Sequence, residues 1–255
     1  MLSDILPTAF ECGVMNGRVK PGDTVAIVGA GPIGMSVILT ARFYSPAEII
    51  VIDTDNSRLE IAKALGATSV INNSDRQALL KIMALTQGRG VDVAVEAVGA
   101  TATFDLCQRA VTAGGHIANI GVHGKPVQLD LDRLWSHNVT LTTGLVDTKA
   151  IPMLLRTVLS GKIDPRKLIT HHFALADAMK AYDTFGDAMQ QRAMKVVITN
   201  CRRRPLERLS WALAAAARIT PSLPRGEESS RVSPSCKKID ARVDWAPARP
   251  SRLQT

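Results

Sequence analysis

Val25-Ala26-Ile27-Val28-Gly29-Ala30-Gly31-Pro32-Ile33-Gly34 is an apolar, β-branched run that ends in a G-x-G-x-x-G spacing and opens a helical pattern at Pro32. A strand feeding a helix through such a turn suits a pyrophosphate: Gly29 permits the tight turn, Gly31 lets the backbone approach the phosphates, and Gly34 lets the helix pack on the strand. Pro32 costs no hydrogen bond at the first helical position. The free amides of that first turn, Ile33 and Gly34 among them, favour an anion together with the helix dipole. The next apolar run, Glu48–Ile52, leads into Asp53, nineteen residues after Gly34. A carboxylate at that place accepts hydrogen bonds from an adenosine ribose. Asp53 would repel a 2′-phosphate and Thr54 adds no cation, so the pattern favours NAD over NADP. Arg58 reads two ways, as a group approaching the ribose or phosphate and as part of a solvated helix face.

Outward from this stretch the chain alternates short β-branched runs with amphipathic helical ones, the signature of βαβ units and a parallel sheet. Strands are expected at Thr24–Val28, Glu48–Ile52, Thr68–Ile71, Val91–Val95, His116–Ile120 and Val139–Thr142. Helices are expected at Pro32–Tyr44, Ser57–Leu65, Asp75–Thr86 and Thr103–Ala113, with Gly66 and Gly114–Gly115 as C-caps. The fold class is therefore α/β, a doubly wound parallel six-stranded sheet of the Rossmann type. Residues 1–22 read as a hinge helix, 23–148 as the dinucleotide-binding domain and 149–200 as a return segment with helices at Lys149–Leu159 and Ala174–Phe185 and a strand at Met194–Thr199. Residues 201–255 read as a disordered basic tail.

The charge agrees with that division. The net +8 of the 255 residues is carried mainly by residues 201–255, with 12 Lys or Arg against 5 Asp or Glu, leaving 19 against 18 in residues 1–200. Arg202–Arg204, Arg208 and Lys237–Lys238 lack regularly interleaved aromatics and any nucleic-acid-binding pattern, so a nucleic acid is not an expected partner. Cys12, Cys107, Cys201 and Cys236 form no C-x-x-C pair and are expected as free thiols. The start of the chain does not read as a signal peptide, and no apolar run approaches the roughly 20 residues that span a bilayer. A cytoplasmic protein without a membrane partner is expected.

Lys20-Pro-Gly-Asp-Thr-Val-Ala-Ile-Val-Gly-Ala-Gly-Pro-Ile-Gly34, Val51-Ile-Asp-Thr-Asp55, Arg58-Leu-Glu-Ile-Ala-Lys-Ala-Leu-Gly-Ala67 and Val95-Glu-Ala-Val-Gly99, in this order and spacing, resemble the coenzyme half of the zinc-dependent medium-chain alcohol dehydrogenases. The likeness runs from about Ser3 to Asn200, so residues 201–255 are expected to be foreign to the family's chain. On spacing alone Asp4 reads as a helix N-cap. The resemblance implies instead that, in Ser3-Asp-Ile-Leu-Pro-Thr8, Asp4 is a ligand of a catalytic zinc and Thr8 contacts the nicotinamide, as in a subgroup active on secondary alcohols. It further implies that Ala97 and Val98 line the adenine side, that Ile120, Gly121 and Val122 lie near the nicotinamide carboxamide, and that Lys195 neutralises the pyrophosphate. On the residues alone, the alternative reading is of Ile120 and Val122 as core and Lys195 as an exposed strand-edge charge.

The family's N-terminal domain, which supplies a Cys and a His-Glu pair to the zinc, has no counterpart here, and the reading is of a truncated member. One carboxylate does not hold a catalytic zinc, which takes about three protein ligands, and His116, His123, His137, His171 and His172 do not stand at ligand positions. In a complete member, zinc lowers the pKa of the alcohol and hydride passes to NAD. The resemblance thus implies an oxidoreductase acting on a secondary alcohol or diol and the corresponding ketone, built as a dimer or tetramer, with zinc held only if the other ligands are supplied and with catalysis by this polypeptide alone impaired. A non-enzymatic NAD-binding module is the alternative from another class. A zinc-independent quinone reductase is a third, but it gives no reason for the Ser3–Thr8 match.

Overall fold

In the computed structural model, which describes residues 1–200, the hinge begins as a short turn, α1 (Ile5–Pro7), and passes directly into an eight-residue π-helix, Thr8–Met15. The wider ladder continues past that helix, with Asn16 N–H donating to the Glu11 carbonyl and Val19 N–H to the Val14 carbonyl, both at 3.1 Å. Gly13 explains why the backbone can lie so close to the sheet: a Cβ there would come within 2.9 Å of Ile120 Cδ1 and 3.0 Å of Val37 Cγ2. The expected hinge helix over residues 1–22 is therefore shorter, and mostly π rather than α.

The alternation of runs then becomes β1 (Thr24–Val28), α2 (Pro32–Ala41), β2 (Glu48–Asp53), α3 (Asn56–Leu65), β3 (Ser69–Asn72), α4 (Ala78–Leu85), β4 (Val91–Glu96), α5 (Thr101–Ala110), β5 (Val111–Asn119), α6 (Leu131–Leu134) and β6 (Thr140–Thr143). All neighbouring pairs of this six-stranded sheet run parallel, in the order β3-β2-β1-β4-β5-β6. The order reverses between β1 and β4, and a crevice for a ligand opens at the carboxyl ends of strands at such a switch point. Both faces are covered. Val25, Ile27, Val51, Val93 and Val95 pack with Leu6, Phe10, Met35 and Ile38 on one side, while Ala26, Val28, Ile50, Ile52 and Ala94 pack with Ile82, Leu106 and Cys107 on the other. Burial on two faces is why these strands read as continuous apolar runs rather than as alternating ones.

Local chemistry sets the element ends. Asp55 caps α3 by accepting from Ser57 N–H at 2.8 Å, and Gly66 ends it in the left-handed region at φ 115°. Helix α4 starts at Ala78 rather than Asp75, because Asp75 takes the Gln77 amide and Asn73 takes the Ala78 amide in turns of their own. The expected cap at Gly114–Gly115 is corrected: α5 ends at Ala110, with Val111 already extended, and both glycines lie inside β5. They serve a bulge. Pairing with β4 jumps from Val91↔Val111 to Val93↔His116, Gly114 takes φ 75°, and a Cβ on Gly115 would press to 2.8 Å from the Asp92 carbonyl oxygen.

After β6 come α7 (Ile151–Leu159), a 3-10 turn at Pro165–Leu168, β7 (His171–Ala174), α8 (Ala178–Gly186) and β8 (Val196–Thr199). The final apolar run does not join the large sheet; β8 pairs in parallel with β7, which its His-His-Phe-Ala sequence had not announced as a strand. Among the described residues, no helix is long and apolar enough to cross a membrane. Cys12 and Cys107 are free and buried. The expected basic tail, with Cys201 and Cys236, lies outside the described residues.

Candidate functional site

The glycine turn stands at the carboxyl end of β1. Gly29 has φ 106°, which only glycine adopts without strain, and a Cβ there would meet Val98 Cγ2 at 2.6 Å and the Ala97 carbonyl oxygen at 3.1 Å. Ala97 donates its N–H to the Val28 carbonyl at 2.9 Å, so the ends of β1 and β4 are locked together beside the turn. Gly34 lies so close to Gly29 that a Cβ would collide with the Gly29 carbonyl oxygen. Gly31 is different: a Cβ there would meet nothing within 4 Å. Open space thus lies over the N-cap of α2, and Gly31 has no side chain to offer the first amides of that helix. Pro32 has no N–H, Ala30 N–H is already taken, and among the described residues the amides of Ile33 and Gly34 donate to no protein acceptor.

Asp53 takes the Ala30 amide. Its Oδ2 accepts that N–H at 2.7 Å, while Oδ1 accepts Thr54 N–H at 2.8 Å and Asp55 N–H at 2.9 Å. The carboxylate at the end of β2 therefore latches the glycine turn to the following loop and keeps one acceptor position on Oδ2 free, since an ionised carboxylate offers about four. Arg58 turns to Asp55, Nε to Oδ2 at 3.7 Å, rather than across the crevice.

At the ends of β4 and β5 the chain brings together residues that the sequence reading had treated separately. Ile120 and Gly121 donate their amides to the Glu96 carbonyl at 2.8 and 3.1 Å. Ile120 is half-buried against Gly13 of the π-helix, and Val122 is 91% exposed. Beneath them lies Glu96, a fully buried carboxylate. Its Oε1 accepts from Val98 N–H and Gly99 N–H, each at 3.0 Å, and from the Thr103 hydroxyl at 2.7 Å; its Oε2 accepts Gly99 N–H at 3.1 Å and lies 3.7 Å from His123 Nε2. His123 Nε2 also meets Asn119 Oδ1 at 2.9 Å, and its buried Nδ1 has no partner among the described residues.

Asp4 and Thr8 meet one another, the Thr8 hydroxyl donating to Asp4 Oδ1 at 2.9 Å. Asp4 occupies the N-cap position of α1, but its side chain caps no backbone amide. Three residues beyond Thr8, Glu11 accepts the amides of Asp147 and Thr148, each at 2.9 Å, and of Ala150 at 2.7 Å, which ties the π-helix to the start of α7. Lys195 lies just ahead of β8, where its carbonyl accepts the Thr170 and His171 amides at 3.0 and 3.3 Å.

Two groups of chemistry can be judged against these residues. A dinucleotide fits: open space over Gly31, undirected amides in the first turn of α2 and an acidic group at the end of β2 form a cradle for a diphosphate and a ribose. A zinc ion does not find a complete site, because among the described residues no three His, Cys, Asp or Glu side chains stand together to hold a metal. Cys12 and Cys107 offer no thiolate, since burial first, and then Glu11 or Glu96, push their pKa values up. Glu96 and Glu11 escaped the sequence reading. The available signal for Glu96 was a carboxylate closing an apolar strand just before Ala-Val-Gly; Glu11 carried none, because its partners lie 136–139 residues away.

Comparison with known proteins places this architecture. A family model described as zinc-binding dehydrogenase matches residues 32–160. An alcohol dehydrogenase of Cupriavidus necator is 34% identical over 202 residues, which are 78% of this chain and 55% of the relative. An NADP-dependent isopropanol dehydrogenase of Thermoanaerobacter brockii is 32% identical over 205 residues, with 78% and 58% covered. Among solved structures, the apo form of zinc dependent alcohol dehydrogenase 2 from Streptococcus pneumonia is similar with a TM-score of 0.75 at 50% identity, covering 78% of this chain and 58% of that one. The chain thus spans a little over half the length of these relatives.

Proposed function

We infer, from the premise that this chain belongs to the zinc-dependent medium-chain alcohol dehydrogenase family and carries its coenzyme-binding part, that its residues 1–200 bind NAD or NADH and orient it for hydride exchange with a secondary alcohol or diol. The open cradle over Gly31 at the start of α2 is the observation that carries this reading. In it the amides of Gly31, Ile33 and Gly34 bind the pyrophosphate, and Asp53 accepts from the adenosine ribose through its remaining acceptor position. Ala97 and Val98 line the adenine side, Ile120, Gly121 and Val122 receive the carboxamide, Thr8 contacts the nicotinamide, and Lys195 adds positive charge near the phosphates, while Arg58 stays paired with Asp55.

Bound coenzyme supplies the hydride acceptor or donor; the chain supplies position. Asp53 supports NAD over NADP through charge repulsion of a 2′-phosphate, although the Thermoanaerobacter relative is named for NADP. The same relative's name, together with Asp4 at the expected metal-ligand position, supports a secondary alcohol and its ketone as the substrate class. We place the protein in the cytoplasm as a homo-oligomer, dimer or tetramer.

A second reading is supported by Asp4 standing without two further metal ligands among the described residues. On it, the 255-residue polypeptide binds dinucleotide and by itself turns over alcohols poorly or not at all. Titration of the purified chain with NADH, followed by coenzyme fluorescence, tests the common ground of both readings, and saturable binding is expected. No fluorescence change up to millimolar NADH would sink them together. Zinc-dependent oxidation of 2-propanol by the same preparation would discard the second and keep the first.

A further inference from the structure

Glu96 is fully buried, ends β4 and meets no Lys or Arg among the described residues, its nearest basic group being His123. Taking a carboxylate out of water costs several kcal/mol unless its oxygens are fully hydrogen-bonded, so a chain gains by keeping one there only if the group holds something in place. Glu96 holds two turns. Its side chain gathers the amides of Val98 and Gly99 and the hydroxyl of Thr103 after β4, and its carbonyl gathers the amides of Ile120 and Gly121 after β5. The two turns also interlock: a Cβ on Gly99 would come 2.7 Å from the Val122 carbonyl carbon, and one on Gly121 would collide with the carboxylate itself. His123 closes the arrangement from the far side, between Glu96 and Asn119, with its ring against the edge of Phe104.

We propose that Glu96 is a positioning residue for the nicotinamide end of the coenzyme: its buried carboxylate fixes the turn after β4, against which Gly121 and Val122 pack, and its carbonyl holds the Ile120 and Gly121 amides, so that Ile120, Gly121 and Val122 stand where the nicotinamide is received. The proposal rests on the coenzyme reading above. Fully buried, Glu96 is out of reach of a ligand at the surface; it acts through the Val98 and Gly99 amides, which only an acceptor can hold. Glu96→Gln is the informative change because it keeps the size of the side chain. Both carboxylate oxygens accept from Gly99 N–H, so in either orientation the new NH2 points at that donor; at the Oε1 position it also faces the Val98 amide, and at the Oε2 position it also faces His123 Nε2.

The test is a pair of titrations on the full-length chain, one with NADH and one with ADP-ribose, which lacks the nicotinamide, alongside thermal unfolding. In Glu96→Gln the NADH Kd is expected to rise about tenfold or more while the ADP-ribose Kd stays within about twofold, because the glycine turn and Asp53 are untouched. A purely structural role would weaken both ligands together. That result, or NADH affinity unchanged in the variant, overturns the proposal. Should Glu96→Gln not fold, His123→Phe, which keeps a ring against Phe104 but removes Nε2, takes its place with the same expected split and the same overturning results. Absence of NADH binding by the unaltered chain would instead sink the coenzyme reading, and this inference with it.

Discussion

Replacing Gly31 with alanine separates ligand binding from folding. Gly31 has φ −77° and ψ −177°, extended backbone that alanine adopts without strain, and the added methyl group meets no protein atom within 4 Å. The folded state therefore loses nothing, and the narrower conformational freedom of the unfolded chain adds about 0.4–1 kcal/mol of stability. On the proposed coenzyme reading, the methyl group occupies the space through which a diphosphate would reach the first turn of α2. Ala30 N–H is spent on Asp53 and Pro32 has none, so few amides remain for the phosphate oxygens. Hydrogen bonds to charged groups contribute about 1.5–3 kcal/mol each. Loss of one raises the NADH Kd about 10- to 150-fold, at about 1.4 kcal/mol per decade. The assay is NADH fluorescence titration of both proteins with thermal unfolding of the same samples. A Kd within about twofold of the original would refute the placement of the phosphates. A Kd that rises only together with a fall in Tm would refute the claim that residue 31 is free of packing.

Gly34→Ala is expected to do the opposite, because its Cβ collides with the Gly29 carbonyl oxygen and comes within 3.0 Å of its carbon. Overpacking of this kind costs about 1–3 kcal/mol and, for a chain of this size, about 2–4 °C of Tm per kcal/mol; an unchanged Tm would show that the helix can slide. Glu11→Ala leaves three amides at the start of α7 without their acceptor. Since the site is half-exposed and water replaces part of the loss, about 1–2 kcal/mol should disappear from the urea midpoint, and an unmoved midpoint contradicts the clasp. His116 titrates below its ordinary 6.5, through burial first and then the charges of Arg18 and Lys20. Its unfolded form therefore takes up a proton before the folded form does, so stability is full above about pH 6.5 and falls as the pH drops through the folded value. His116→Gln should flatten the acid side of the Tm profile, and an identical profile would exclude His116 as its source.

The sequence carried the large sheet well because its strands are buried on both faces and bounded by turn residues: Gly29, Asp53 and Gly66 each stand where local chemistry demands them. It failed where long-range pairing overrides the local pattern. Gly114 and Gly115 look like a helix end, yet the partner strand needs a bulge there. The strand His171–Ala174 has neither length nor periodicity and exists because Val196–Thr199 pairs with it. The π-helix keeps the apolar spacing of an ordinary helix, so only its packing against the sheet betrays it. In the site, the turn positions of Gly29 and Asp53 were legible; Glu96 binds amides two and three residues on but was hidden inside an apolar strand end, and Glu11 holds groups 136–139 residues away that no local pattern brings near.

Asp53 is bound by two constraints at once, and they do not pull the same way. On the proposed coenzyme reading, its charge at the end of β2 decides which dinucleotide the glycine turn accepts; as a three-fold acceptor it holds Ala30, Thr54 and Asp55 in that turn. A single exchange for a small neutral residue, the obvious step toward a 2′-phosphorylated coenzyme, would relax the first constraint and break the second. Coenzyme preference at this position is therefore epistatic: a neighbouring acceptor for the Ala30 amide has to be in place before residue 53 is free to vary, and designed or evolved switches should arrive as paired substitutions with the supporting change first.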